Sequence, residues 1–202
     1  GALIITLFVL SVAWMPVIFA RQSYRGGRWM WAAPVVIVAA AVARLFGTDW
    51  SLYAVSSVLL IFTLGLFVGY TEELVSRGAA VHLLRKGGYK ERSVMVLSSL
   101  LFASMHVVSG IGKSMTEIAI LLVFAFLFGV AAYLTMVVTG SIVWAMVLHA
   151  ITDPTTMLAS GGVDSGHAPS SPFSSAGTIA IVIYLVLFVV ALITMRSKRD
   201  SR

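Results

Sequence analysis

The sequence predicts an all-α fold, a polytopic transmembrane bundle of about seven to eight helices forming a single domain over residues 1–202. Three observations predict it. The chain is 59% hydrophobic and only 11% charged, where a soluble domain carries about 25% charged residues. Its mean hydropathy is +1.00. Its apolar residues are gathered into runs near the ~20 residues that cross a bilayer, separated by short basic or Gly/Ser/Pro-rich stretches.

Seven runs meet that description: residues 2–20, 29–46, 52–84, 93–108, 118–138, 141–153 and 177–195. The first lacks a basic stretch ahead of its apolar core, so it reads as a retained helix rather than a signal peptide. The third is too long for one simple span and is expected to tilt, or to bend near Gly65 or Gly69. Those two glycines also make a G-x-x-x-G, the spacing that lets two helices approach closely. The Phe-rich fifth run reads as ordinary lipid and core contacts. The sixth is short and is expected to stop at Pro154, which cannot continue a helix interior. Residues 154–176 are rich in Gly, Ser and Pro and read as a flexible outer loop.

The net charge of +6 comes from basic residues placed between apolar runs, which points to topology and lipid contact rather than nucleic acid. Arg21, Arg25 and Arg28 follow the first run, Arg85, Lys86, Lys90 and Arg92 the third, and Arg196, Lys198, Arg199 and Arg202 the last. If all seven runs cross, these lie on one side, opposite Asp49, Glu117 and Asp164. Basic loops stay cytoplasmic, so the C-terminus is expected in the cytoplasm. The Ala-, Val-, Gly- and Arg-rich composition leans toward a bacterial plasma membrane. The chain has no cysteine, which excludes disulfides, thiolate nucleophiles and thiolate metal ligands, and it has no asparagine. No P-loop, dinucleotide fingerprint or internal repeat is present.

Against this background a few polar residues stand out. Glu72, Glu73 and Arg77 follow an apolar stretch over 52–70; His106 follows Phe102 by four residues; Asp153 follows His149 by four; His82 lies nearer the basic loop. A charge at the centre of a bilayer costs about 2.5–3.5 kcal/mol, and such residues mark functional sites by default. Counting a rise of about 1.5 Å per residue from the basic ends puts Glu72 and His106 roughly 20 Å deep and His149 to Asp153 roughly 13–20 Å deep. Scattered structural polar groups have no reason to share one level. His82 and His167 read more simply, as a helix contact and an outer-loop residue.

Spacing refines the picture. Glu73 and Arg77 share a helix face and are expected to form an ion pair, while Glu72 points about 100° away, toward another helix. Phe102 can pack against the ring of His106, and Asp153 can fix the tautomer of His149. A carboxylate drawn into low dielectric is a strengthened general base. Glu72, His106 and His149 therefore suit water activation and oxyanion stabilisation by residue type. The same three are also a two-histidine, one-carboxylate set that suits zinc. A silent membrane scaffold and a proton-relay transporter are the other readings, the latter without a broken-helix repeat to support it.

The set Glu-Glu-x-x-x-Arg, Phe-x-x-x-His and His-x-x-x-Asp, in this order over residues 72–153, resembles the CPBP family of CAAX proteases and bacteriocin-processing enzymes, also called the Abi family. The resemblance implies an intramembrane endopeptidase acting on a membrane-associated protein or peptide, lipidated in the CAAX branch. It implies that Glu72 and His106 activate the water, that His149 and Asp153 form the oxyanion pocket, and that Glu73 and Arg77 support the site. Members are often called metalloproteases, although a metal-free glutamate mechanism has been argued for the CAAX branch. One departure is clear: some members carry Asn where Asp153 stands. An ionised Asp cannot donate to an oxyanion, so Asp153 is expected to orient His149, with metal ligation the next choice and protonation the third.

Overall fold

The apolar runs become helices in the computed structural model, which describes residues 1–161 and 176–195. In chain order they are α1 (Ala2–Ser11), α2 (Met15–Ile18), α3 (Ala32–Gly47), α4 (Val55–Lys86), α5 (Glu91–Met105), α6 (Met115–Thr139), α7 (Ile142–Ala159) and α8 (Ala176–Thr194). No strand occurs among the described residues. Five helices are long and apolar enough to cross a membrane: α3 with the 3-10 turn that precedes it, α4, α6, α7 and α8. Large apolar side chains face outward, such as Ile4 at 74%, Leu59 at 64% and Ile193 at 63% exposure. Water would penalise such a surface, whereas lipid tails are its natural solvent. The protein is an all-α, integral membrane bundle.

Several expected boundaries change. The first run is not one helix. Ala13 takes φ 55, its N–H bonds Leu10 O and the Trp14 N–H bonds Val9 O, a Schellman stop that turns the chain before Pro16. The fourth run ends its α-helix at Met105, is capped by His106, and turns through the 3-10 segment Val108–Gly110. The sixth run does not stop at Pro154: α7 continues to Ala159. Pro154 cannot bond the Ala150 carbonyl, but that carbonyl lies only 2.7 Å from where a Cβ on Gly65 would stand. The bare glycine backbone of α4 thus covers the gap, one of the ways a membrane helix tolerates proline. The expected outer loop therefore begins later, and its remainder, with His167 and Asp164, lies outside the described residues, as does the basic tail from Arg196.

The third run stays α-helical through Gly65 and Gly69 and departs from regularity further on, in a π-helical segment over Leu74–Ala80. The glycines serve as the contact with α7. A Cβ on Gly65 would sit 2.4 Å from Pro154 Cγ, and one on Gly69 2.7 Å from the Ala150 nitrogen. Any side chain there would force the helices apart, so the G-x-x-x-G sets their separation. Glu73 lies one turn beyond Gly69, and His149 lies next to Ala150, so this contact also sets how near those two side chains come.

One end of the bundle collects basic residues. Gly140, at φ 77, closes α6, and its carbonyl accepts the Gln22 N–H at 3.0 Å. Arg85 donates to Glu91 at 2.9 Å and to Gln22 at 2.6 Å, and the Tyr133 hydroxyl also donates to Glu91. Arg92 donates to Met195 O at 2.6 Å. The loops after α2 and α4 and the end of α8 thus share one end, as the charge pattern predicts. At the other end the Tyr53 hydroxyl donates to Leu158 O at 2.8 Å.

Candidate active site

Three helices bring the anomalous polar residues together. Glu72 and Glu73 sit at the α-to-π junction of α4, His106 caps α5, and His149 lies inside α7 with Asp153 one turn on. Glu72 Oε2 is 4.0 Å from His106 Nε2 and 3.9 Å from His149 Nε2. That oxygen is buried and has no hydrogen-bond partner, yet the Glu72 side chain as a whole is 27% exposed and that of His106 23%. One face of the carboxylate looks onto the two rings and the other is reachable from outside. Gaps of 3.9–4.0 Å exceed a direct hydrogen bond and suit a bridge by one water.

The tautomers follow from the partners. His106 Nδ1 lies 3.0 Å from Phe102 O. A carbonyl only accepts, so Nδ1 carries the hydrogen and the neutral ring offers a lone pair at Nε2, the nitrogen facing Glu72. His149 Nδ1 lies 2.9 Å from Glu73 Oε1, and its Nε2 lies 3.3 Å from Asp153 Oδ2. Both nitrogens of this ring therefore have carboxylate oxygens to donate to. Asp153 approaches the ring as expected, but at Nε2. The second carboxylate, on Nδ1, is Glu73, a contact the sequence spacing does not reveal because it spans α4 and α7.

A buried layer supports these groups. The expected ion pair forms: Arg77 Nη1 is 3.3 Å from Glu73 Oε1, with both side chains 0% exposed. Arg77 also donates to Ser76 Oγ and, at 2.7 Å, to Gly129 O, and its guanidinium lies 4.4 Å above the Phe102 ring. A Cβ on Gly129 would stand 3.0 Å from Arg77 Nη2, so the approach of α6 needs glycine there. Phe102 packs against His106 at 4.8 Å and against His149 at 5.4 Å between ring centroids, and Phe128 covers His149 at 5.1 Å. The π segment widens α4 where Ser76 and Arg77 turn inward, and such bulges recur at functional sites. Isolated buried charges are expensive, so Arg77 is tolerated only because acceptors and a ring surround it.

One residue adds to the sequence picture. Arg44, in the last turn of α3, is 7% exposed and interacts electrostatically with Tyr184 and Asp153. The sequence hides it inside an apolar run, where a charge was itself the signal. His82, by contrast, packs its ring on Trp14 at 5.0 Å and stays out of the cluster.

The zinc set fits less well than the water-activating one. Bonds of about 2.1 Å put tetrahedral ligands about 3.4 Å apart, closer than Glu72 stands to either ring. Among the described residues no three His, Asp or Glu side chains converge enough to hold a metal ion, and no step of the chemistry below runs through one. Comparison with known proteins agrees with the motif reading. A family model described as "Type II CAAX prenyl endopeptidase Rce1-like" matches residues 53–155, a span that holds every acidic and histidine residue of the cluster. No curated protein and no solved structure matches the chain.

Proposed function

Because the chain belongs to the Rce1-like type II CAAX prenyl endopeptidase family, we propose that it is an intramembrane endopeptidase that hydrolyses a peptide bond of a membrane-associated protein by activated water, without a covalent intermediate. The observation that carries this reading is the convergence of Glu72 Oε2 on two imidazole Nε2 atoms at 3.9 and 4.0 Å. A water there donates one hydrogen to Glu72 and one to the His106 lone pair, and turns its own lone pair toward the substrate. Glu72 takes the proton as the water oxygen bonds the scissile carbonyl carbon. The carbonyl oxygen becomes an oxyanion beside His149, whose Nε2–H donates to it while Glu73 holds Nδ1. Glu72 then returns the proton to the amide nitrogen as the C–N bond breaks, which releases an amine and a carboxylic acid, and the acid's remaining proton passes to the His106 lone pair and on to solvent to leave the carboxylate.

Asp153 shapes this pocket as an acceptor and orienter of His149, with Arg44 offsetting its charge. The family description favours a substrate whose C-terminal region carries a prenyl group, and bilayer burial of the site suits an anchored chain. Basic loops stay cytoplasmic, which supports the reading that the basic end of the bundle, where α8 ends, faces the cytoplasm.

The test is a survey of protein termini in host membranes, comparing wild type with Glu72→Gln at equal abundance, alongside hydrolysis of a farnesylated CAAX peptide by the purified chain. Termini or tripeptide release seen only with wild type support the proposal. Identical termini and no peptide hydrolysis in either sample would sink it in favour of a scaffold.

A further inference from the structure

At the basic end, on the far side of Arg77 from His106 and His149, a cleft of about 350 Å³ opens between the loop after α2 and the last turns of α4. Arg21, Gln22, His82, Arg85 and Lys86 line its polar side, and Val17, Ile18 and Val81 its apolar side. A smaller cavity of about 140 Å³ shares Arg21 and Gln22 and adds Arg25 and Arg28. The proposed chemistry uses none of these basic side chains.

The charges divide in a telling way. Arg85 is committed to Glu91 at 2.9 Å and to Gln22, so it fixes the floor of the cleft. Arg21 and Lys86 have no acidic partner among the described residues. The cleft thus holds uncompensated positive charge beside hydrogen-bond donors. Its wall changes to aliphatic at Val17, which is 52% exposed on the bundle's outer face. A soluble anion needs the donors but gains nothing from that wall. A molecule with a phosphate head and acyl chains uses both, and basic pockets between helices at the cytoplasmic interface are where such heads dock.

We propose that this cleft binds the phosphate of an anionic phospholipid headgroup, with Arg21 and Lys86 as its cations and the acyl chains lying along the exposed side chain of Val17. The lipid would fasten the loop after α2 to the end of α4. The inference is independent of the protease reading, since it concerns binding and not hydrolysis.

The test is native mass spectrometry of the full chain in mixed micelles, with phosphatidylglycerol set against phosphatidylcholine. Wild type should retain phosphatidylglycerol preferentially, and the double variant Arg21→Gln/Lys86→Gln should lose about tenfold or more of that preference, since each interfacial cation contributes a few-fold. Lys113→Gln, a charge loss at the opposite end, should keep it, and Arg21→Lys/Lys86→Arg should restore it, which separates charge from misfolding. An unchanged preference in the double variant, or an equal loss in Lys113→Gln, overturns the site. Displacement of the lipid by millimolar inorganic phosphate overturns the lipid assignment in favour of a soluble phosphate.

Discussion

Glu73 on α4 and His149 on α7 are joined by a 2.9 Å contact between Oε1 and Nδ1, and both side chains are almost fully buried. The same Glu73 oxygen faces Arg77 at 3.3 Å. Glu73 is thus the hinge of a charge chain running from Arg77 to the ring, whereas its neighbour Glu72 makes no hydrogen bond through its buried oxygen. Two adjacent carboxylates therefore hold opposite jobs, and their variants should separate.

Glu72→Gln should reduce hydrolysis by about 10²–10⁴, the usual contribution of a general base, and leave thermal stability equal or raised, because no partner is lost and a buried charge is removed. Glu73→Gln should reduce hydrolysis by about 10–100-fold through a loosened His149 and also destabilise by about 3–5 kcal/mol, because Arg77 is left buried without its counter-ion. Turnover and thermal midpoint, measured on both variants in one detergent, check the split. Equal stability losses in the two would refute it.

The approach of α4 to α7 makes a second prediction. Gly69→Ala places a Cβ 2.7 Å from the Ala150 nitrogen, a backbone atom that cannot rotate away. The helices must separate, at about 1–3 kcal/mol, and the Glu73–His149 contact must lengthen. Activity should fall more than stability alone explains, and raising lipid or lowering temperature to restore the folded fraction should not restore turnover. Full turnover in folded Gly69→Ala would show that the glycine contact does not position the site.

How much of this was legible in the chain depends on whether the signal was local. The Glu73–Arg77 pair and the packing of Phe102 on His106 follow from four-residue spacing on one helix, and both are present. The close contact at Gly65 and Gly69 had only a weak motif behind it, yet it forms. The Glu73–His149 bond joins residues 76 apart in sequence, and no periodicity encodes it. The π segment at Leu74–Ala80 was also hidden: within it Arg77 reaches Gly129 O and the Phe102 ring on other helices, contacts that no local spacing announces. Pro154 misled in the opposite direction: its effect on a helix depends on what covers the freed carbonyl, and Gly65 lies 85 residues upstream of Ala150.

Phe102 touches both histidines and lies under Arg77, so it holds three parts of the site with one ring. Phe102→Leu keeps the apolar volume roughly and removes the aromatic face. It should destabilise by about 1–2 kcal/mol, including the lost cation–π contact, and lower kcat with little change in KM, because a loosened His106 weakens the water rather than the binding of substrate. A rise in KM at unchanged kcat would place Phe102 in substrate recognition instead.

Asp153 supplies the last prediction, through its electrostatic coupling to Arg44. Its side chain is 48% exposed and 3.3 Å from His149 Nε2, so it borders the space where the oxyanion forms. Asp153→Asn exchanges one acceptor oxygen for a donor N–H and should keep hydrolysis within about tenfold, since an amide can serve the oxyanion directly. Asp153→Ala offers neither group and should lose about 100-fold. Arg44→Gln removes one cation from the field at Asp153 and should slow hydrolysis alone, but the change should be nearly silent when Asp153→Asn is already present. Such non-additivity is the signature of two groups acting as one. Independent, additive effects in the double-mutant cycle would separate Arg44 from the site and leave it a structural charge of α3.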